Sequence, residues 1–96
     1  MTLVDCIAEA QSIEEVFGLV NDFIGDLRHL GAIDQIPPGM RPGRISTDDD
    51  LSYWLMIVWD EIKRRDVAKE DTPAVIVSIH AVLVAALRRL RSGWYH

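Results

Sequence analysis

The stretch SIEEVFGLVNDFIGDLRHLG, residues 12–31, decides the fold class. Ser12 and Glu15 have the spacing of a capping box: the serine hydroxyl is placed to accept from the amide three residues on, and the glutamate to reach back to the serine amide. Behind that start, Ile13, Val16, Phe17, Val20, Phe23, Ile24, Leu27 and Leu30 recur at threes and fours, the spacing that lays apolar side chains along one face of an α-helix. Gly31 follows as the residue best suited to a left-handed stop. The pattern predicts a helix over residues 13–30, with Asp22, Asp26 and His29 on the face opposite the stripe.

Toward the amino terminus, Leu3, Val4, Ile7 and Ala10 keep a similar spacing, so a short leading helix is expected over Thr2 to Ala10, separate from the next or continuous with it. In the other direction, residues 31–46 hold three prolines and three glycines, which deny both helix continuation and central-strand pairing. This connection is longer than most, and Ile33, Ile36, Met40 and Ile45 are expected to pin it to the bundle. Ser46 or Thr47 then caps a third helix with Asp48, Asp49 and Asp50 in its first turn and Lys63, Arg64 and Arg65 toward its end, the charge order a helix dipole favours. That helix is expected to reach about Ala68. Thr72 and Pro73 open a fourth, threonine as the cap and proline at the first helical position, where its missing amide costs nothing. It should run to Arg91, before the stop at Gly93. The expected fold is all-α: a small bundle of three long helices plus a short N-terminal helix, with one Pro/Gly-rich loop, in a single domain over residues 1–96.

Composition agrees with a folded domain. Hydrophobic residues make up 49% and charged residues 26%, so neither disorder nor a fibrous repeat is indicated. The net charge of −5 argues against a general phosphate-backbone binder, which would neutralise phosphates with Lys and Arg. Charge is uneven: residues 1–50 hold ten acids and three bases, residues 51–96 five acids and seven bases. The single cysteine, Cys6, allows no internal disulfide and suggests a reducing compartment. The acidic, interrupted start is unlike a secretory signal. The most apolar window, Ala74 to Leu87, is about 14 residues where a membrane span needs about 20. A cytoplasmic protein is expected, with no membrane association.

No catalytic, cofactor or metal site is expected. Helical bundles hold metals through Glu-x-x-His pairs on facing helices, and none occurs here. Cys6 and the scattered histidines match no zinc spacing. The acidic pairs Glu14-Glu15 and Asp60-Glu61 lack a matching second pair, and there is no phosphate-cradling glycine loop. The reading therefore favours a protein that is not an enzyme. Two alternatives stay open. One is a ligand-binding or enzymatic bundle with a pocket near His80, Trp54 and Trp59, in which Asp60 or Glu61 would partner the histidine. The other is nucleic-acid binding through the carboxyl end, where Arg88, Arg89 and Arg91 stand beside Trp94 and Tyr95.

The strongest signal is apolar surface in excess of what one small core needs. In the third helix Leu51, Leu55, Val58, Trp59 and Ile62 form the expected core stripe, yet Tyr53, Met56 and Ile57 emerge on another side, between Asp60 and Arg64. In the fourth, Ile76, Ile79, Leu83, Ala86, Leu87 and Leu90 form the core stripe, and the back carries a ridge of small residues, Ala74, Ser78, Ala81 and Ala85. Either the fourth helix is surrounded within its own domain, or that ridge and the Tyr53, Met56, Ile57 group are an interface. The expectation is an interface: a small protein-interaction module of regulatory, adaptor or inhibitor type, acting as a homodimer and binding another protein.

Overall fold

The computed structural model describes residues 2–92. Among them four α-helices form and no strand: α1 is Leu3–Ala8, α2 Ile13–His29, α3 Asp48–Ala68 and α4 Ala74–Arg91. The all-α bundle read from the sequence is the fold. Its long connection is structured by two single 3-10 turns, Ala32–Gln35 and Pro38–Met40.

α1, α2 and α3 each start where a side chain satisfies a free backbone amide of the first turn. Ser12 Oγ accepts from the Glu15 amide at 3.1 Å, but Glu15 does not return to Ser12; its carboxylate accepts from the Gln11 amide at 2.8 Å. The reciprocal boxes are Thr2 with Asp5 and Thr47 with Asp50. At α4 the expected order slips by one residue: Pro73 occupies the cap position and makes no side-chain bond, so Thr72 is outside the helix. Gly31 stops α2 with φ 75°, as its residue type suggests. The stop of α3 is less ordinary, because Lys69 takes the left-handed conformation at φ 59°. Gly93 lies outside the described residues.

α4 is the hub, packing against α1, α2 and α3. Its Val75, Ile76, Ile79, Val82, Leu83 and Ala86 are buried with Val16, Val20 and Ile24 of α2 and Leu51 and Val58 of α3. Leu87 and Leu90 are only partly buried against this core. α1 and α2 are separate helices broken at Ala10, whose carbonyl accepts from Arg89 Nε and Nη2 at 2.9 and 2.7 Å. One correction matters for function. Trp59 does not join the core stripe but is 45% exposed. The stripe 51-55-58-62 already meets the helical period, and Trp59, one residue past Val58, is rotated by about 100° from it.

The loop is anchored much as its composition implies. Ile33, Ile36 and Ile45 are buried, and Met40 is packed against the core. Asn21 adds a polar clamp: its side-chain NH2 donates to the Ile45 carbonyl at 2.7 Å and its oxygen accepts from the Ile45 amide at 2.9 Å. Arg28 donates to the Pro42 carbonyl, and Arg41 to that of Ile36 at 2.8 Å.

Candidate functional site

The short turn from Lys69 to Pro73 makes α3 and α4 antiparallel neighbours, and along one side of this pair Met56 and Trp59 are exposed. There Trp59 and His80 stack, with ring centres 5.3 Å apart and planes inclined by 28°. The Lys63 ammonium lies 5.9 Å from the Trp59 ring centre, within cation–π range, and pairs with Asp60 at 3.6 Å. The rings close one end of an open groove of about 360 Å³ lined by Ser52, Leu55, Met56, Trp59, His80 and Leu87. Leu55 and Leu87 also line a second depression of about 330 Å³ that continues the groove past Val84 to Arg88, Arg91 and Ser92. Along this face Met56 is 54% and Trp59 45% exposed, and Val77, about one turn before His80 on α4, is 51% exposed. Ser52 and His80 are the polar groups of the upper groove; the rest of its lining is hydrophobic.

The groove arises from periodicity. Ser52, Trp59 and Asp66 follow at intervals of seven along α3, as do Val77, Val84 and Arg91 along α4, with His80 and Leu87 beside them. A seven-residue repeat stays on one face over two turns. That signal was present in the sequence. Assigning Leu87 and Trp59 to the core hid it.

The residues singled out from the sequence are distributed as follows. Of the trio on α3, Met56 lines the groove. Tyr53 is exposed on another side, in an edge-to-face contact with Trp54 at 5.2 Å, and Ile57 is half-buried. On α4, Ala74, Ser78 and Ala81 are exposed, while Ala85 is half-buried beside Val4 and Ala8 of α1. This ridge points about a third of a turn away from the groove. Of the candidate pocket, His80 and Trp59 come together at the groove, and Trp54 lies apart, packed against the core. The histidine's ring neighbour is therefore Trp59; Asp60 is engaged by Lys63, and Glu61 by arginines.

Glu61 is the buried charge the sequence reading missed, only 9% exposed. Arg64 Nε donates to it at 2.8 Å, Arg65 Nε stands 3.4 Å away, and Arg64 also reaches Glu70 at 3.3 Å. Arg65 Nη1 donates to the Asp71 carbonyl at 3.0 Å, so the cluster ties the end of α3 to the turn before α4. The Arg64 hydrogen bonds, acting against the cost of burial, hold the Glu61 carboxyl below the usual glutamate range. Asp50 is lowered in the same direction, chiefly by the Ser46 amide, and Asp5 by the Thr2 amide. These acids cap and clamp; none faces the groove.

The remaining candidates do not converge. Asp22, Asp26 and His29 are exposed on the outer face of α2, and among the described residues no three His, Cys, Asp or Glu side chains are grouped to hold a metal. No described helix is long and apolar enough to cross a membrane. Of the carboxyl-terminal set, Arg89 is engaged with Ala10 and Ser92, and Trp94 and Tyr95 lie outside the described residues. Comparison with protein-family models, curated proteins and solved structures found no match.

Proposed function

We propose that the chain is a protein-interaction module that associates with a second copy of itself through the face shared by α3 and α4. The observation that carries this reading is an apolar groove running through two adjoining depressions, with Met56 and Trp59 about half exposed along it. Burying such surface releases about 25 cal/mol for each Å² removed from water. Tryptophan is the residue type most often found anchoring such contacts. The stacked histidine and the ammonium over the ring hold that tryptophan in place, which lowers the entropy lost when it is covered. Ser52 and His80 are the polar groups of the upper groove, and among the described residues neither is paired with an acid that would organise a reaction there, which favours binding over catalysis. The module would then act by occupying or pairing protein surfaces, in a regulatory, adaptor or inhibitor role.

Two charge insertions separate this face from the small-residue ridge. Trp59→Glu is expected to give a folded monomer, because it places a carboxylate in the middle of the covered surface without touching the core. Ala81→Glu is expected to leave both fold and association intact. Size-exclusion chromatography with light scattering, alongside circular dichroism, reads both. Dissociation by Ala81→Glu with retention of the dimer by Trp59→Glu would move the interface to the ridge.

A further inference from the structure

We infer that His80 makes the α3–α4 groove proton-sensitive, so that a surface suited to association at neutral pH is disfavoured as a contact in mild acid. This rests on the homodimer reading and adds the regulation of its surface. His80 is half-buried, stacks on Trp59 at 5.3 Å and shares with Ser52 the polar part of an otherwise hydrophobic lining. Histidine is the side-chain type that ordinarily changes charge between pH 5 and 8. The other described histidine, His29, is exposed on the outer face of α2 and takes no part in the groove. A neutral imidazole at position 80 completes an apolar end. A protonated one puts a cation into the surface that a contact has to dry.

Among the described residues no acid is placed to neutralise that cation. α4 carries no charged residue from Ala74 to Leu87, and α1 and α2 contribute nothing to the upper lining. Across the groove α3 presents Ser52, Leu55, Met56 and Trp59. Beside them Asp60 is engaged by Lys63, whose ammonium already lies 5.9 Å from the Trp59 ring centre, and Glu61 is held by Arg64 and Arg65. On the Trp59 line of α3, Asp66 and Asp48 stand about 10 and 16 Å away along the helix, beyond the roughly 8 Å screening length of physiological salt. The adjoining depression ends at Arg88 and Arg91, which are cations too. A proton on His80 therefore adds to cations instead of cancelling an acid, and a dry contact would hold it unpaired at a cost in free energy. The indole keeps the charge in place, because a cation against an aromatic ring is attracted to it.

Sedimentation equilibrium at about pH 7.5 and about pH 5.5 tests this for the wild type, His80→Gln and His29→Gln, with circular dichroism confirming the helices at both. The wild-type dissociation constant is expected to rise roughly tenfold in acid, since each copy brings a cation into the contact. His29→Gln is expected to follow the wild type, and His80→Gln, which cannot take up the proton, to keep one constant throughout. The indole reports the same event within each chain. Tryptophan emission of the dilute wild type is expected to fall on acidification, because an imidazolium quenches the indole it touches, and to hold steady in His80→Gln. A dimer whose constant is the same at both pH values overturns the regulation and leaves the homodimer reading standing. A His80→Gln dimer as pH-sensitive as the wild type does the same, as does an emission that responds equally in both chains. A wild-type chain that sediments as a monomer at neutral pH overturns the homodimer reading and the regulation with it.

Discussion

Gly18 and Gly25 sit mid-helix on the outer face of α2, and a Cβ at either position would meet nothing within 4 Å. Glycine in a helix interior costs about 0.5–1 kcal/mol relative to alanine, so Gly18→Ala and Gly25→Ala are each expected to raise stability by about that much in urea unfolding. Lys69 makes the converse point. Its left-handed backbone, φ 59° and ψ 34°, strains any residue with a Cβ, and Lys69→Gly is expected to raise stability by roughly 0.5–1 kcal/mol. Ser12 shows what residue-level reading captures well, because a hydroxyl one residue before a periodic run has few other roles. Ser12→Ala should lower stability by about 1 kcal/mol. What such reading misses is a side chain whose partners are remote. Asn21 reads as a surface residue of α2, yet it grips Ile45, far along the chain. Glu61 reads as half of an acidic pair with Asp60, but helical rotation sends Asp60 outward to Lys63 and Glu61 inward to two arginines.

Among the elements, the loop and the α3–α4 turn are held by hydrogen bonds to backbone carbonyls as much as by apolar anchors. Asn21→Ala removes both bonds to Ile45, leaving a buried amide and carbonyl unsatisfied, and is expected to cost about 1–3 kcal/mol. Local opening of the loop should accompany that loss, so trypsin is expected to cut faster at the exposed Arg44 in the variant than in the wild type. The acidic clamps give the elements a pH dependence of definite sign. Glu61, Asp50 and Asp5 all have folded values lowered relative to the free side chain, so the unfolded chain takes up protons first as pH falls. Their stabilisation is present above the ordinary carboxylate range and is lost as pH falls through that range and then through the lowered folded values. Urea midpoints should therefore hold steady from pH 7 to about 5 and drop below it, and Glu61→Gln should lower the midpoint at pH 7 and flatten the drop. The existence, order and type of the four helices were legible because each has both a period and a start signal. Their ends were less so. The slip at Thr72 arises because proline serves equally as a first helical residue and as the residue before it.

For the molecule as a whole, the decisive feature is that α4 packs against α1, α2 and α3 yet still presents His80, Val84 and Leu87 to the groove it shares with α3. The excess of apolar residues was legible in the sequence, but not its location. Tyr53, Met56 and Ile57 are close in sequence and point to different surroundings, whereas Met56 and His80 are distant in sequence and share one groove. Which face of α3 meets α4 is set by tertiary packing, and periodicity on one helix cannot supply the rotation of its neighbour. A chain this small that leaves a tryptophan and a methionine half exposed beside one another has a surface suited to being covered. The most direct measurement is sedimentation equilibrium of the wild-type chain at neutral pH over a dilution series. The account predicts a mass of twice the 10.9 kDa chain at the concentrated end, falling toward one chain on dilution while the helical circular dichroism persists. A mass of one chain at every concentration, with the helices fully formed, would contradict it.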